Sequence, residues 1–493
     1  MAQTKPPHER GFRGPLERID DVTLRIPRSY KPGMLVDGTI FADDRLLPLL
    51  QGDQAAEQVA NVACLPGIQL ASLAMPDIHW GYGFCIGGVC GTDPAAGGVV
   101  SPGGVGYDIN CGVRLVRTSL TLDEVRPQIV PLVNRLMRDI PVGVGQGGRR
   151  VFSPGELRAL MQEGVPFLAR LGLATAEDVA CAEAEGCIPE AEPGLVSDRA
   201  LARGADQCGT VGAGNHFIEV QVVDRVEDPA VAAAFGLRAG QICVLIHSGS
   251  RGLGYQVCDD ALRALRDAPA KYGITLPDRQ LVCAPIASPE GRAYLGAMRA
   301  AANYAFCNRQ LLMWQVRDVF EQVFGRPWES LGMTLLYDVA HNIAKFEEHS
   351  VGGVRKEVCV HRKGATRAFP AGHHDIPEHY RAVGQPVIIP GDMGRASWVL
   401  VGGPRALERS FGTTCHGAGR CLSRTAATKA AKGRDIRAEL ERAGVIARSR
   451  SREGLAEEQP AAYKDVDLVV DVVHRAGLSL KVARLTPLGV IKG

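Results

Sequence analysis

Five residues of the chain have side chains and surroundings that suit a metal site. Asp108 and Cys111 are three positions apart in GYDINCG, so a carboxylate and a thiolate can converge from one tight turn. His216 (GAGNHFIE), His247 (LIHSGSRG) and His341 (YDVAHN) each lie at a predicted strand end or beside glycines. Carboxylate, thiolate and imidazole together suit Mn, Zn, Co or Fe. A thiolate can also bridge two ions, which allows a two-ion site that stabilises the attacking and leaving oxygens of an in-line displacement.

A further histidine, His416, lies in FGTTCHGAGRCLSR between small residues that leave room for a large substrate beside the imidazole. Arg420 and Arg424 follow it, and guanidinium groups can hold phosphate oxygens in a forked geometry. A neutral imidazole is also a competent nucleophile toward phosphorus. The residues leave two interpretations open: His416 either carries a covalent nucleotide or only hydrogen-bonds a phosphate.

Several common phosphate and metal signatures are missing from the sequence. It contains no G-x-x-x-x-G-K-[ST] loop, no Lys-x-Asp-Gly of lysine-dependent ligases, and no H-E-x-x-H or C-x-x-C. The stretch GVGQGG (143–148) fits G-x-G-x-x-G, but no convincing strand precedes it, so we predict a loop and not a dinucleotide-binding fold. If the protein forms a covalent nucleotide, histidine must therefore take the place of lysine.

Strands and one long helix must position these residues. Apolar runs predict strands at 243–250, 333–342 and 386–394, each with chemically active residues at its end. Apolar side chains at spacings of three and four predict a helix from about Pro289 to Phe324.

No internal repeat, linker or composition shift divides the chain, so residues 1–493 are predicted to form one large mixed α+β domain. The acidic, Ala-rich segment 173–205 is predicted to be a surface insertion. With 58 glycines and only 5% aromatic residues, the composition suggests many tight turns rather than aromatic stacking platforms.

The charge and cysteine content limit the partners and the compartment. A net charge of +2 does not indicate a nucleic-acid partner, so an anionic substrate must meet a local basic patch. The 14 cysteines lack the spacing of a disulfide scaffold. No leader-like or membrane-spanning apolar run occurs, so a cytoplasmic protein without membrane contact is expected.

Seven motifs carry a resemblance that covers nearly the whole chain. From about Ile26 to Lys492, and in matching order, the sequence resembles the RtcB family of RNA-splicing ligases. The motifs are PDIHWGYGF (76–84), SPGGVGYDINCGVRL (101–115), GAGNHFIE (212–219), IHSGSRGLG (246–254), AHN (340–342), PGDMG (390–394) and CHGAGR…SR (415–424).

The resemblance implies a GTP- and Mn(II)-dependent RNA ligase with a central metal and GTP cleft. Such an enzyme joins an RNA 3′-phosphate or 2′,3′-cyclic phosphate to a 5′-hydroxyl through a covalent GMP-histidine, as in tRNA splicing and RNA repair. It further implies one Mn(II) held by Asp108, Cys111 and His216. The second Mn(II) would be held by the same bridging Cys111 with His247 and His341.

The resemblance also assigns nucleotide-handling residues. His416 would attack the α-phosphorus of GTP, and Asp77 would act in the region that activates this histidine. Glu219 and Lys492 would read guanine, since a carboxylate accepting from N1 and N2 prefers guanine to adenine. The further nucleotide contacts are Asn215, Ser397 and Tyr463, together with Arg420 on the strength of its guanidinium.

Two further features follow from the resemblance. An archease-type activator is a possible partner, because many relatives use one. Position 392 in PGDMG is Asp where the family is expected to carry Ser. A carboxylate there would repel phosphate unless it is paired or bound through a metal.

Three classes of function are compared on these residues. They are a ligase with a covalent nucleotide on His416, a metal-dependent RNA end-processing phosphoesterase that does not ligate, and a non-catalytic RNA-binding factor. A binding factor has no need of clustered Asp, Cys and His residues. His416 and the guanine-reading pair Glu219 and Lys492 favour ligation over hydrolysis.

Overall fold

Most strands of the protein belong to two large sheets whose ends carry the residues singled out above. The structure is a computed structural model that describes residues 11–493. Helices and strands are interspersed along this whole range, and the prediction of a single mixed domain of α and β elements is confirmed. None of the helices in these residues is long and apolar enough to cross a membrane.

Short strands and helices follow one another along the chain, with a single long helix in its second half. The strands are β1 (Glu17–Asp20), β2 (Thr23–Ile26), β3 (Gly38–Phe41), β4 (Ile68–His79), β5 (Ile86–Thr92), β6 (Val99–Val100), β7 (Gly112–Thr121), β8 (Phe217–Val226), β9 (Gln241–Ser248), β10 (Ala284–Pro285), β11 (Thr334–Ala340), β12 (Asn342–Val351), β13 (Val354–Lys363), β14 (Ala365–Arg367), β15 (Pro386–Ile389), β16 (Ser397–Gly402), β17 (Thr413–Cys415), β18 (Ile446–Ser449) and β19 (Ser479–Lys492). The α-helices are α1 (Leu47–Gln51), α2 (Ala55–Val62), α3 (Leu122–Val125), α4 (Ile129–Asp139), α5 (Pro154–Glu163), α6 (Val165–Arg170), α7 (Ala176–Ala180), α8 (Asp198–Gly204), α9 (Pro229–Ala234), α10 (Arg251–Ala264), α11 (Ala268–Lys271), α12 (Pro289–Phe324), α13 (Glu378–Arg381), α14 (Ala406–Ser410), α15 (Arg424–Ala430), α16 (Ile436–Arg442), α17 (Arg452–Glu457) and α18 (Val466–Arg475).

Sheet I has the strand order β1-β2-β3-β4-β5-β13-β12, and Asp77 lies near the end of β4. Its strands are antiparallel apart from the pair β3 and β4. A separate two-stranded ribbon, made of β14 and β17, leaves sheet I after β13. The ribbon ends at Cys415, directly before His416, and so carries that histidine to Asp77.

Sheet II has the strand order β11-β7-β9-β8-β19-β16-β15, with β18 beside β19. Its neighbouring strands are antiparallel, apart from β18, which is parallel to β19. All eight residues of β9 are buried, as expected for a continuous apolar run in the middle of a sheet. The strands predicted at 243–250, 333–342 and 386–394 are confirmed as β9, β11 and β15.

One long helix, α12, spans Pro289–Phe324, the range that the apolar periodicity predicts. It begins where the side chain of Ser288 accepts from the backbone N–H of Gly291, and it ends at Gly325, whose φ is 64°. Its 36 residues correspond to about 54 Å. Several of its polar side chains are buried: Asn303, Asn308, Arg309, Gln310, Gln315 and Arg317.

A buried ion-pair cluster joins α12 to sheet II. Arg309 Nη2 lies 2.7 Å from one oxygen of Asp338, and Arg114 Nε lies 2.7 Å from the other. None of the three side chains is exposed to solvent. Because charges are costly to bury, each group in this cluster depends on its partners.

The segment 173–205 is not confined to the surface, in contrast to the prediction. Asp178 lies 2.8 Å from Arg317, and Glu183 lies 2.6 Å from Lys345, with all four side chains buried. The acidic composition suggested a solvent-facing stretch. The cations that neutralise these two acids lie more than a hundred residues further along the chain.

Removing the shared carboxylate should destabilise the protein strongly. We expect Asp338→Ala to lower the free energy of unfolding by about 3–5 kcal/mol, because two guanidinium groups lose their buried counter-charge. Guanidinium chloride unfolding followed by circular dichroism measures the change.

The matched control is Glu348→Ala. Glu348 forms an ion pair with Arg355, and the two side chains are 55% and 73% exposed, respectively. An exposed pair contributes less than about 1 kcal/mol. Similar losses in the two variants would contradict the structural role of the buried cluster.

Candidate active site

Four of the five metal-ligand candidates lie at one end of sheet II, on four neighbouring strands. His341 directly follows β11, Cys111 directly precedes β7, His247 is next to last in β9, and His216 directly precedes β8. These strands are adjacent and antiparallel, so the end of one lies beside the start of the next. The sheet therefore brings together side chains that are far apart in the sequence.

The five candidates converge on Cys111. Its Sγ lies 3.3 Å from Nε2 of His216 and 3.2 Å from Nε2 of His247. Nε2 of His247 lies 3.3 Å from Nε2 of His341, and Asp108 Oδ2 lies 2.8 Å from Nε2 of His216. The thiol thus lies between an Asp–His pair on one side and a His–His pair on the other.

Burial governs the charge state of this cluster. Burial, reinforced by nearby Asp108, raises the pKa of the Cys111 thiol well above its usual range. Burial and the neighbouring imidazoles lower the pKa values of His247 and His341 well below theirs. Burial alone would raise the pKa of Asp108, but His216 holds it at about 2. The cluster thus offers a carboxylate and neutral imidazoles, and a thiol whose ionisation needs a nearby cation.

These residues fit a metal centre. Sγ of Cys111 and one ring nitrogen each of His216 and His247 lie within 4.8 Å of one another. Neutral imidazole, carboxylate and thiolate are the ligand forms of these side chains, and a metal ion supplies the positive charge that a buried thiolate requires. Asp108 and His341 extend the group on opposite sides, Asp108 through His216 and His341 through His247.

The turn that carries Asp108 and Cys111 is held by hydrogen bonds to two other segments of the chain. Asn110 between them has a φ of 51°, a left-handed conformation that favours Gly or Asn. The backbone N–H of Ser250 donates to Asp108 at 3.0 Å, and that of Asn110 donates to the carbonyl of Asn342 at 2.7 Å. The Asp-x-x-Cys spacing works because this turn is fixed.

His416 lies beside the metal-ligand cluster and is oriented by Asp77. Nδ1 of His416 lies 2.6 Å from Asp77 Oδ2, and the backbone N–H of His416 donates to the same oxygen at 3.1 Å. Burial alone would raise the pKa of Asp77, but these contacts with His416 hold it below its usual range. A carboxylate at Nδ1 keeps the proton on that nitrogen and leaves the lone pair on Nε2. The ring centroid of His416 is 4.9 Å from that of His341.

A cavity of about 250 Å³ opens between the metal-ligand cluster and His416. Ten of the predicted site residues line it: Asp108, Cys111, Asn215, Glu219, His247, His341, His416, Arg420, Tyr463 and Lys492. The other three lie directly behind its wall: Asp77 contacts His416, His216 contacts Cys111, and Ser397 accepts from the backbone N–H of Gly391 at 3.4 Å. A larger cleft of about 1570 Å³ contains none of the predicted site residues.

Glu219 is a buried acid at the wall of this cavity. Burial, together with the nearby carboxyl of Asp392, raises its pKa to about 8. Gln221 donates to it at 2.6 Å. Sequence reasoning missed Gln221, although alternation along a strand places residues i and i+2 on the same face and could have indicated it.

Lys492 reaches the cavity from the end of β19, opposite Phe217 of β8. Its Nζ lies 4.0 Å from the buried carboxyl of Glu458. Glu458 also accepts from Tyr463 and pairs with Arg420 at 3.1 Å. Sequence reasoning missed Glu458, because it is the last residue of a charged stretch, SREGLAEE, that has the composition of a solvent-facing helix.

Asp392 lines the cavity and is paired within its own loop. It accepts from the backbone N–H of Gly394 at 2.9 Å and lies 3.1 Å from Arg395. Burial raises its pKa above the usual range. The carboxylate expected to repel a phosphate is therefore partly neutralised by Arg395.

Comparison with known proteins identifies the family. The family model described as tRNA-splicing ligase RtcB matches residues 58–493. A protein named tRNA-splicing ligase RtcB from Archaeoglobus fulgidus is 54% identical over 97% of this chain and 99% of its own length. A protein of the same name from Methanococcus maripaludis is 50% identical over 97% and 99%. An RNA-splicing ligase RtcB from Mycobacterium tuberculosis is 52% identical over 88% and 100%. The chain belongs to the RtcB family.

Proposed function

We propose that this protein is a GTP- and Mn(II)-dependent RNA ligase. It joins an RNA 3′-phosphate or 2′,3′-cyclic phosphate to a 5′-hydroxyl through a covalent GMP on His416. The observation that carries the proposal is the contact between His416 and buried Asp77, beside the metal-ligand cluster. A hydrolase that uses only metal ions does not need a histidine outside the metal-ligand cluster that a carboxylate holds in one orientation.

In this proposal His416 is the nucleophile toward the α-phosphorus of GTP. Asp77 accepts from Nδ1, which fixes the ring and leaves Nε2 free to attack. The positive charge that develops on the ring when the P–N bond forms is balanced by the Asp77 carboxylate. Pyrophosphate leaves as this bond forms. Where the RNA end is a 2′,3′-cyclic phosphate, water first opens it to a 3′-phosphate. An oxygen of the 3′-phosphate then attacks the phosphorus of the GMP on His416 and the P–N bond breaks. Finally the 5′-hydroxyl attacks the RNA phosphorus of this activated end, and GMP leaves.

Asp108, Cys111, His216, His247 and His341 are proposed to hold two Mn(II) ions. When bound, the ions supply positive charge against the phosphate oxygens on which negative charge develops. The protein's own part is to keep the thiolate and the neutral imidazoles fixed at the cavity wall, where burial limits competition from water.

Glu219 and Lys492 are proposed to read guanine. Glu219 accepts from N1 and N2 in its ionised form, and Lys492 donates to O6. Asn215, Ser397, Arg420 and Tyr463 are proposed to complete the nucleotide contacts. Because the carboxyl of Glu219 is buried, a base without the matching donors leaves it unpaired, which discriminates strongly.

The RNA substrates, the activating partner and the cellular compartment are part of the same proposal. The substrates are RNA ends of the kind produced in tRNA splicing or RNA damage, and an archease-type protein is the expected activator. The reducing cytoplasm suits an enzyme that depends on the Cys111 thiolate. The alternative is a metal-dependent RNA end-processing phosphoesterase, which would release phosphate or open cyclic ends without any protein-bound nucleotide.

Labelling with α-³²P-GTP and Mn(II) tests the covalent step. Wild-type protein should acquire an acid-labile, alkali-stable label, and His416→Ala should acquire none. Asp77→Asn should slow labelling on the order of 100-fold, because the ring loses its fixed tautomer. The matched control is His374→Ala, an exposed histidine outside the cavity, which should label like the wild type. Label that persists in His416→Ala, or equal labelling by ATP, would contradict the proposal.

Metal content tests the role of Cys111. Cobalt(II) bound to wild-type protein should give a thiolate-to-metal charge-transfer band, and Cys111→Ala should lose it together with most of the bound metal. Cys90→Ala provides the control, since Cys90 is buried in β5 away from the cluster. An unchanged band in Cys111→Ala would exclude this thiolate as a ligand.

The pH dependence of GTP binding tests Glu219. With a pKa of about 8, the carboxyl is mostly protonated below that pH, and guanine must displace the proton. GTP affinity should therefore rise as pH increases toward 8, by up to about tenfold per pH unit, and level off above it. Filter binding to His416→Ala protein measures affinity without covalent transfer. Glu219→Gln should bind weakly and lose this slope; a slope that survives in Glu219→Gln would assign it to another group.

A further inference from the structure

Three tyrosines form a partly exposed stack beside the metal-ligand cluster. Tyr107 directly precedes Asp108, and its ring stacks on that of Tyr255 with centroids 4.8 Å apart and planes 24° apart. Tyr82 packs edge-on against Tyr107 at 5.8 Å. Tyr255 is 45% exposed, and no other Phe, Trp or Tyr within residues 11–493 is as open to solvent. The low aromatic content suggested no stacking platform, and this stack is a local exception.

The stack and the metal-ligand cluster share one support. Helix α10 begins at Arg251, and the backbone N–H of the preceding Ser250 donates to Asp108 at 3.0 Å. Tyr255 lies about one helical turn further along the same helix. Through this helix the exposed ring is connected to the turn that carries Asp108, although it does not itself line the cavity.

Hydrogen bonds fix the backbone on both sides of Gly83, next to Tyr82 of the stack. Lys363 Nζ donates to the carbonyl of Tyr82 at 2.5 Å and to that of Phe84 at 3.2 Å. Between them, the backbone N–H of Gly83 donates to the side chain of Gln280 at 2.9 Å. A ring stack with a fixed backbone loses little conformational freedom when a further flat group packs on it.

A cation lies over the exposed ring. The guanidinium carbon of Arg203 lies 5.1 Å from the centroid of the Tyr255 ring. Arg203 donates to the side-chain oxygen of Gln256 at 3.0 Å, and it has no acidic ion-pair partner in the part of the chain that the structure describes. Its positive charge is therefore available to an anionic chain that places a flat group on the tyrosine.

We propose that the stack formed by Tyr107, Tyr255 and the Arg203 guanidinium over Tyr255 packs against one nucleobase of a single-stranded RNA end. This inference rests on the proposed function and names a recognition site for its RNA substrate. Every base has a π-face, so such a site holds RNA without reading its sequence. Arg203 contributes charge attraction to the backbone phosphates of the same strand.

Binding of a fluorescein-labelled eight-nucleotide RNA with a 3′-phosphate tests the proposal. Fluorescence anisotropy is measured with Mn(II) and without GTP, so that no ligation occurs. Tyr255→Ala should raise Kd by about tenfold, as expected for the loss of one stacked base, and Tyr255→Phe should restore most of the affinity. The control is Tyr272→Ala, beyond the far end of α10, where Tyr272 donates to Glu290; its Kd should match the wild type.

An abasic scan separates stacking from a general loss of structure. The same RNA is prepared with one base removed at each position in turn. Removal at one position should weaken binding to the wild type about as much as Tyr255→Ala does, and it should have no further effect on Tyr255→Ala. If every base removal weakens both proteins by the same factor, or if Tyr255→Ala binds like the wild type, the inference is wrong.

Failure of this inference is distinguishable from failure of the proposed function. The absence of a GTP-derived label on the wild type contradicts the ligase, whatever the RNA measurements give. A label with no coupling between Tyr255 and any base leaves the ligase in place and removes the stacking site. Sedimentation measures the oligomeric state of both proteins. If the wild type is a dimer and Tyr255→Ala is a monomer, a second copy of the chain packs on Tyr255 and the inference is overturned.

Discussion

The guanidinium of Arg309 ties together the segments that carry the metal-ligand candidates. It donates to the backbone carbonyls of Asn110 and Ser248 at 2.7 and 3.0 Å, and to the side chain of Asn110 at 3.0 Å. Asn110 lies within the Asp-x-x-Cys turn, and Ser248 follows His247. A single buried side chain of α12 thus fixes two strand ends relative to each other, while Asp338 balances its charge. The spacing between Cys111 and His247 therefore depends on a residue that is not itself a metal-ligand candidate.

The two halves of the site have separate structural origins. The metal-ligand candidates come from sheet II and the turn before β7, whereas Asp77 belongs to sheet I and His416 to the ribbon of β14 and β17. They meet where His341 and His416 approach each other. Because the halves are held by different hydrogen bonds, His416 can be oriented independently of the metal-ligand candidates.

The sequence was sufficient to single out most of the residues that meet at the candidate site, but not to predict how the fold brings them together. Glycine-flanked polar residues at strand ends indicated Asp108, Cys111 and the three histidines, and apolar periodicity gave the bounds of α12. The strand order β11-β7-β9-β8 depends on pairings between distant segments, which no local pattern encodes. Arg309 and Glu458 were missed for a related reason. Each is a charged residue in a stretch of ordinary composition, and its burial at the candidate site depends on partners that are distant in the sequence.

The residues that line the cavity are spread along the sequence from His79 to Lys492. This large sequence separation affects how the cavity forms during folding. Contacts between residues so far apart in the sequence are the slowest to form. Much of the chain must lose conformational entropy before these contacts can stabilise it. The cavity should therefore be among the last features to appear during folding. Any ligand that binds only the finished cavity then stabilises the native state as a whole, in proportion to the logarithm of its concentration once that exceeds its Kd. The cellular level of such a ligand would in this way help to set how long the folded enzyme persists.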